Sequence, residues 1–519
     1  MDSQIDQLRT DYDAVPYLSD AFAASHPDNL RTIATLAGFA GAADVTRCRV
    51  LEIGCAIGRN LIPMAQTLPG STFVGIDLSP KQIEIGKRTV SELGLANIEL
   101  RVRDLMDFGA DEPAERFDYI IAHGIYSWVP AAVRDRLFEV CGPMLRPAGL
   151  AYISYLALPG SQLRQIVRDL SAFHCRGAAL DPLERAARTR EAVAFAAQAA
   201  PGPQVYKSLL SGLDAAAKRS SDWSFLHDEL ELVNHAVYLE QFVAEAARHQ
   251  LRYVADAHPT QEIFPYLLPA TQQQVRQFST DLVKRQQYSD YLEGRAYHAS
   301  ILCRADAGTK PEDLRFAADP QTRISLVGMH VAGRIVEETP DGVAGAAPGT
   351  LRFGARGARV KLMSHDPLVI SAYRTLRAAW PRAMPFEELL EACGGSSVDP
   401  QAAAETLTRN LMLAYYVGIV ELWTRPTIFV GVDPQRPRVT PLARLEASTS
   451  ASVVNLRHQP INPDAALRQL LQQMDGTRSR DELFELWMRT TGGGGVKDRA
   501  TFDRLLAELV ANSCVLPDA

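Results

Sequence analysis

The sequence predicts an α/β protein in which helices flank a parallel sheet, a helical insertion interrupts that sheet, and winged-helix-like α+β modules follow. Three observations predict this fold. Short apolar runs alternate with helical segments up to about residue 155, a stretch rich in Ala, Glu and Arg follows, and two similar segments occupy the C-terminal part. Strands that alternate with helices of this length indicate βαβ units and hence a parallel sheet.

The expected sheet begins with short apolar runs that each end near a glycine or a polar residue. These strands are predicted at 49–53, 71–76, 98–102, 117–122 and 149–155. Helices are expected at about 28–40, 60–68, 81–93 and 132–145. Two later strand-like runs, 251–255 and 298–304, complete the sheet, so the helical residues 161–250 are an insertion.

Near the C-terminus two segments share the order helix, turn, helix, helix and strand, which is that of a winged-helix module. The first includes a helix at 401–413 and the run VGIVELW, and the second a helix at 499–511 and the run CVLP. This repetition indicates duplication. Weaker strand signals precede the modules at 324–327 and 360–363. The predicted divisions of the whole chain are 1–160, 161–250, 251–306, 307–433 and 434–519.

Composition and charge predict a cytoplasmic protein of several domains. The chain has 519 residues, 47% of them hydrophobic, and a net charge of −7, so neither nucleic acid nor an anionic membrane is an expected partner. Seven cysteines are dispersed without a CxxC pair, which indicates reduced thiols and no zinc site. The N-terminus does not read as a signal peptide, and no apolar run is long enough to span a membrane. Charge in the last module is nearly balanced, which disfavours DNA binding.

The strongest functional signal is VLEIGCAIG at 50–58, an apolar strand followed by a glycine-rich turn that opens a helix. Gly54 permits a tight turn and the close approach of a ligand. The full G-x-G-x-x-G spacing of a dinucleotide site is missing, and Glu52 would repel a pyrophosphate. A carboxylate at this position suits a cationic group, such as the amino group of a methionine moiety.

Two more acids follow the next two predicted strands. Asp77 stands where a carboxylate accepts hydrogen bonds from ribose hydroxyls, and Asp104 stands where it can receive an adenine amino group. Acids at strand ends also cap helices or are simply solvated. Three in succession, together with Gly54 and Gly58, favour a ligand crevice at the edge of the sheet.

On these motifs, residues 49–155 resemble a Rossmann-like class I S-adenosylmethionine-dependent methyltransferase. Most of the chain resembles bacterial methyltransferases with a methyltransferase regulatory domain, a group that includes the rickettsial protein lysine methyltransferases. The resemblance is carried by YDAVPY at 12–17, HPD at 26–28, LEIGCAIGRNLIPMA, FVGIDLS, FDYIIAHGIYSWVP, DWSFLHDELELVNHAVYLEQF, KRQQYSDYLEGRAYHASILC and the winged-helix-like end.

The resemblance implies S-adenosylmethionine as the cofactor and assigns roles to residues. Those implied to contact the cofactor are Tyr12, Glu52, Gly54, Cys55, Gly58, Asn60, Asp77, Leu78, Asp104, Leu105, Ala122 and His123. Those implied to take part in catalysis are Tyr17, His123 and Tyr155. Tyr12 and Tyr17 belong to an N-terminal segment that folds over the site as a lid, or else they only pack. His123 suits proton transfer by its pKa, but a structural role fits equally well.

One loop departs from the family pattern. After the fifth strand relatives carry Ser-Tyr-Asn-x-Tyr-Pro-Gly-Trp, whereas Leu156, Leu158 and Ser161 stand here at the Asn, second Tyr and Trp positions. The loop lies against the transferable methyl group, so this departure implies a different acceptor or weak activity. Aliphatic side chains would lower the pKa of a lysine amine, and Tyr155 or Tyr17 would accept its hydrogen bond.

Three functions stay open at this point. The first is a protein or peptide methyltransferase with lysine as the acceptor, for which the insertion and the C-terminal modules supply surface. The second is a small-molecule methyltransferase of a biosynthetic pathway, and the third is a cofactor-binding interaction protein with little turnover. Insertions of this kind in relatives imply self-association, so 161–250 is predicted to be a regulatory or dimerisation region and the protein a homodimer.

Overall fold

The computed structural model describes residues 20–109, 112–178, 180–231, 233–261, 267–310, 314, 324–339, 348–355, 360–394, 399–429, 435–489 and 498–517. Its largest feature is a mixed sheet of eight strands. In chain order they are β1 (Arg49–Ile53), β2 (Thr72–Asp77), β3 (Ile98–Val102), β4 (Phe117–Ala122), β5 (Leu145–Ala157), β6 (Ala236–Val237), β7 (Leu251–Asp256) and β8 (Tyr297–Arg304). The late strands predicted at 251–255 and 298–304 are thus confirmed as β7 and β8.

The sheet has the spatial order β3-β2-β1-β4-β5-β8-β7, with β6 beside β5. Strands β1 to β5 are parallel, and β8 is antiparallel to both β5 and β7. The carboxyl ends of β1 to β5 and β7 therefore meet at one edge, where antiparallel β8 begins. Ligands of open α/β sheets bind at this edge.

Four helices belong to the first part of the sheet: α1 (Pro27–Leu36), α2 (Leu61–Thr67), α3 (Pro80–Glu92) and α4 (Ala131–Met144). Helix α1 ends before residue 40, where the sequence had predicted its end. Gly38 adopts a φ of +88°, and the N–H of Phe39 donates to the carbonyl of Ala34 at 2.8 Å. This left-handed glycine closes the helix early, as is common at helix C-termini.

The predicted insertion contains helices of two kinds. Helices α5 (Ser161–His174), α6 (Pro182–Ala199) and α7 (Gln204–Arg219) pack around their own small apolar cluster, followed by a π-helical turn at Phe225–Glu229. Helix α8 (Leu239–Arg248) instead packs its apolar side against the sheet. Helices α9 (Pro269–Phe278) and α10 (Leu282–Glu293) connect β7 to β8.

The first C-terminal module contains the helices α11 (Pro367–Ala379), α12 (Phe386–Ala392) and α13 (Pro400–Tyr416). Its strands are β9 (His330–Ala332), β13 (Met384–Pro385) and β14 (Glu421–Trp423), which form the sheet β13-β9-β14. A separate antiparallel sheet holds β10 (Val336–Glu338), β11 (Leu351–Gly354) and β12 (Leu362–Ser364). The strand predicted at 324–327 was wrong, since these residues form a loop and turn, whereas that at 360–363 corresponds to β12.

The second module begins with α14 (Pro441–Thr449) and the hairpin β15 (Val453–Val454) and β16 (Pro460–Ile461). The predicted helices follow as α15 (Ala465–Gln473), α16 (Arg480–Arg489) and α17 (Arg499–Ala511). The run CVLP forms one bridge, between Val515 and Val439, rather than a strand. Within the described part of the chain, no helix is long and apolar enough to cross a lipid bilayer. The five divisions of the chain stay a prediction.

Candidate active site

A cavity of about 760 Å³ lies at the carboxyl edge of the main sheet. Its walls come from the segment before α1, the ends of β1, β2, β4 and β5, the π-helical turn, the start of β8 and the second C-terminal module. Lining residues that the sequence predicted are Glu52, Gly54, Cys55, Asn60, Asp77, Leu78, Asp104, Leu105 and His123. The strand ends that carry the motifs are therefore brought together in one place.

Glu52 is a buried carboxyl group at the end of β1. Its Oε1 accepts a hydrogen bond from Asn60 Nδ2 at 2.7 Å, whereas Oε2 has no hydrogen-bond partner among the described residues. Burial raises the pKa of Glu52 to about 8, because the charged form loses its hydration. An unsatisfied carboxyl group of this kind favours a ligand that brings a cationic donor.

A side chain at Gly54 in the glycine-rich turn would require the side chain of Ile125 to move. Gly54 has a φ of +72°, and a Cβ atom there would lie 2.2 Å from Cδ1 of Ile125. Gly58 also has a positive φ of +78°, but a Cβ there would meet Ile62 and Leu100, so this glycine serves the packing of α2 rather than the cavity wall. Gly58 is therefore not among the residues that line the cavity, and its contact with the cofactor stays a prediction.

The two later acids hold backbone turns at the strand ends. Asp77 accepts hydrogen bonds from the N–H groups of Ala56 at 2.8 Å and Ser79 at 2.9 Å. Asp104 accepts one from the N–H of Met106 at 2.9 Å. A carboxylate can accept further hydrogen bonds beyond these, so both side chains keep acceptor capacity for a ligand in the cavity.

Asn60 links three distant parts of the chain. Besides its bond to Glu52, its Oδ1 accepts from the N–H of Phe22 at 2.9 Å and from Nε2 of His458 at 2.8 Å. His458 is buried and has a φ of +58°, a left-handed conformation that is uncommon outside glycine. One side-chain amide thus joins the segment before α1, the end of β1 and the second C-terminal module.

His123 follows β4 and stands between two aromatic rings. Its ring stacks on Phe22 at 3.6 Å between centroids, and its Nδ1 hydrogen-bonds to the hydroxyl of Tyr152 at 2.9 Å. Burial lowers the pKa of His123 to about 3, so the imidazole is neutral near pH 7 and a weak base. Ala122, the preceding residue, is buried in the core beneath the cavity and does not line it.

Tyr155 does not reach the cavity, which corrects the predicted catalytic role. Its ring stacks on Phe242 at 4.0 Å, and its hydroxyl bonds to Ser300 Oγ at 2.9 Å. Successive residues of a strand point to opposite faces, so Leu156, the next residue, lines the cavity instead. Tyr12 and Tyr17 lie outside the described residues.

Several lining residues were missed from the sequence. Tyr297 starts β8 and His258 follows β7, so the edge rule that identified Asp77 would also have found them once those strands were placed. The others were assigned no role, because only tertiary packing brings them here, although Trp128, His227 and Asp228 lie within runs that carry the family resemblance. They are Phe22, Trp128, Arg164, His227, Asp228, His458 and Gln459.

A buried ion network lies directly behind Tyr297 and His258. His298 bonds through Nδ1 to Asp256 Oδ2 at 2.6 Å and through Nε2 to Asp290 Oδ2 at 2.9 Å, and all three side chains are fully buried. Its two carboxylate partners raise the pKa of His298 to about 9. Asp256 Oδ1 also accepts from the N–H of His258 at 2.8 Å, which fixes the loop after β7.

Three family models match this chain. Residues 50–149 match a methyltransferase domain, residues 221–304 a predicted methyltransferase regulatory domain, and residues 435–497 the C-terminal winged-helix domain of PKMT. The π-helical turn and the start of β8 fall within the second match, and His458 within the third.

Relatives and solved structures extend these matches over most of the chain. An uncharacterised protein of Rickettsia prowazekii is 28% identical over 480 residues, which cover 91% of this chain and 85% of that protein. Another from the same organism is 34% identical over 239 residues, 46% of this chain and 94% of the relative. PKMT2 from Rickettsia typhi in complex with AdoHcy superposes with a TM-score of 0.81 at 22% identity, covering 97% of this chain and 100% of that one. The overall fold is therefore shared from end to end.

Proposed function

This chain belongs to the S-adenosylmethionine-dependent methyltransferases that carry a regulatory domain and a C-terminal winged-helix domain, and on this premise we propose that it methylates a lysine amine of a protein or peptide. The choice of a protein or peptide acceptor rests on one observation: the regulatory segment and the winged-helix module both border the cavity. The likeness to PKMT2 from Rickettsia typhi, which has the same fold over its whole length, also supports a protein acceptor.

The residues present fit the cofactor. The unsatisfied Oε2 of Glu52 suits the amino group of the methionine moiety, Asp77 suits the ribose hydroxyls, and Asp104 suits the adenine amino group. We refer to these three acids as the cofactor end of the cavity. Bound there, S-adenosylmethionine supplies a methyl carbon made electrophilic by its sulfonium.

Five other lining residues, Leu156, Asp228, His258, Tyr297 and His458, are what we refer to as the acceptor end. Among them His458 also contacts Asn60, the partner of Glu52. A lysine amine has an ordinary pKa of about 10.4 and attacks only as the neutral amine. Apolar surroundings such as Leu156 disfavour the ammonium form. The walls hold the nitrogen at near-attack distance, and the neutral His123 shapes the pocket through stacking rather than by taking a proton.

The N-terminal segment is proposed to act as a lid that includes Tyr12 and Tyr17. The support for this is Phe22, which follows that segment, lines the cavity and stacks on His123. We keep Tyr17 as a candidate for orienting the acceptor.

A homodimer formed through α5 to α7 is also proposed. These helices expose large apolar side chains, of which Phe173 is 70%, Phe195 72% and Val205 78% exposed. Large apolar side chains exposed on one group of helices favour an interaction surface there. A cytoplasmic location, a bacterial source like that of the named relatives, and the absence of nucleic-acid partners stay predictions.

The test uses purified protein, methyl-labelled S-adenosylmethionine and extracts of the source cells. Label that peptide mass spectrometry locates on protein lysines supports the proposal. Label found only in small molecules would favour a biosynthetic methyltransferase, for which the aliphatic Leu156 in place of a polar residue is the favouring observation. Cofactor binding without label in either fraction would favour an interaction protein.

A further inference from the structure

The π-helical turn at Phe225–Glu229 directs two consecutive residues, His227 and Asp228, to the cavity wall. Its first residues, Phe225 and Leu226, are buried in the apolar cluster of the insertion. A π turn inserts one residue into a helix, and such insertions are frequent at functional sites. The turn therefore presents a carboxylate to a cavity whose other walls at this end are largely apolar or aromatic.

Asp228 has acceptor capacity that the protein does not use. Ser224 Oγ donates to its Oδ2 at 2.6 Å, and no other donor bonds to this carboxylate within the described ranges. The nearby guanidinium of Arg164 is engaged elsewhere, since it and Arg168 pair with Glu229. Asp228 thus has Oδ2 held by Ser224, whereas its Oδ1 accepts no hydrogen bond within the described ranges. Burial raises the pKa of Asp228, and the nearby charges of Arg164 and His227 oppose that effect.

We propose that Asp228 is the binding site for the ammonium group of the acceptor, delivered to the cavity by the regulatory segment. This inference rests on the proposed amine acceptor and names the residue that selects it. A primary ammonium has three donors, so one can bond to Asp228 when the acceptor enters the cavity. The nitrogen must then lose one proton to solvent before its lone pair can attack the methyl carbon at the cofactor end. The regulatory segment then contributes directly to recognition of the substrate.

The first test measures binding of a small amine, independently of turnover. Saturation-transfer NMR follows butylammonium with the full-length protein saturated with S-adenosylhomocysteine, and butanol serves as the uncharged reference. We expect binding of butylammonium to wild type and to Asp169→Asn, an exposed acid of α5 away from the cavity. Asp228→Asn should weaken it about tenfold to a hundredfold, as for loss of a charged hydrogen bond. Equal binding by Asp228→Asn, or none by wild type, overturns the inference.

The second test uses the labelled acceptor found with wild type. Asp228→Asn should raise the KM for a lysine acceptor about tenfold or more and leave the Kd of the cofactor unchanged. An unchanged KM for lysine would contradict the role of Asp228 while the proposed function stands. If wild type labels no protein lysine, the proposed function is wrong, and the butylammonium measurement still decides the ammonium site.

Discussion

The two ends of the cavity are built in different ways. The cofactor end comes from one continuous part of the chain, in which Glu52 lies near the end of β1, Asp77 ends β2 and Asp104 follows β3. The acceptor end combines residues from segments that are far apart in sequence, from Leu156 to His458. Local backbone geometry therefore determines the first, and the packing of distant segments determines the second.

The contacts that support each end differ accordingly. Asp77 and Asp104 bind backbone N–H groups of adjacent turns, whereas the loops of the acceptor end depend on the buried network around His298. A change behind one end should therefore leave the other largely intact. The following predictions test that separation, from the largest expected effect to the smallest.

Replacement of His298 by Asn should cost the most stability. It removes the cationic partner that bonds Asp256 and leaves Asp290 with Arg295 alone, and breaking a buried ion pair in this way costs about 3–5 kcal/mol. Urea unfolding measures the loss, with His249→Asn as the control, because the partner of His249, Asp135, is 58% exposed and such pairs contribute about 1 kcal/mol or less.

The difference in the free energy of unfolding between wild type and His298→Asn should depend on pH, because the pKa of His298 is raised. Its stabilisation is fully present below its ordinary pKa of 6.5 and is lost as the pH rises through about 9. The free energies of unfolding of wild type and His298→Asn should thus become more similar from pH 7 to pH 10. A difference in stability that does not change with pH would contradict the raised pKa of His298. A cofactor affinity that falls together with stability would contradict the separation of the two ends.

Replacement of Gly54 by Ala should damage the cofactor end. The left-handed φ costs about 1–2 kcal/mol, and the added Cβ would displace the end of the Ile125 side chain, which lines the cavity. We therefore expect the Kd of S-adenosylmethionine to rise about tenfold by calorimetry. Gly94→Ala is the matched control, since its φ is +62° but no atom lies within 4 Å of the added Cβ. Similar affinities of the two variants would argue against close approach of the ligand at Gly54.

Replacement of Glu52 by Gln should change proton release on cofactor binding. With a pKa of about 8, Glu52 is mostly protonated at pH 7 in the free protein, and a cationic amino group beside it favours loss of that proton. Wild type should release about one proton more than the variant, and its affinity should be about tenfold higher. Calorimetry in buffers of different ionisation enthalpy measures both, and equal proton release would exclude Glu52 as the partner of the amino group.

Replacement of Tyr155 by Phe should have the smallest effect. The variant loses the hydrogen bond to Ser300 and about 1 kcal/mol of stability, with turnover unchanged because Tyr155 does not line the cavity. Tyr17→Phe, by contrast, is expected to lower turnover if the lid orients the acceptor. Steady-state turnover rates of both variants test these expectations. A large loss of turnover in Tyr155→Phe would restore the predicted catalytic role of Tyr155.

The cofactor end could be predicted from the sequence, and most of the acceptor end could not. Glu52, Asp77 and Asp104 follow apolar strands, and the edge of a parallel sheet brings such positions together. Tyr155 was misplaced because the resemblance identified the loop but not which face of β5 each residue occupies. Asp228 lies in a run that carries the family resemblance but was assigned no role, and His458 gave no signal. Neither the π turn nor the docking of the second module follows from local patterns.

The hydrogen bonds of Asn60 give the molecule a form of long-range linkage. One amide contacts Glu52 at the cofactor end and His458, which is 398 positions away in the chain. A ligand that stabilises the charged form of Glu52 also stabilises the hydrogen bond that Asn60 donates to it. Because the same side chain of Asn60 accepts from His458, that ligand also favours the contact between Asn60 and the winged-helix module. Because such coupling is reciprocal, a macromolecule that tightens the seating of that module must tighten cofactor binding by the same factor.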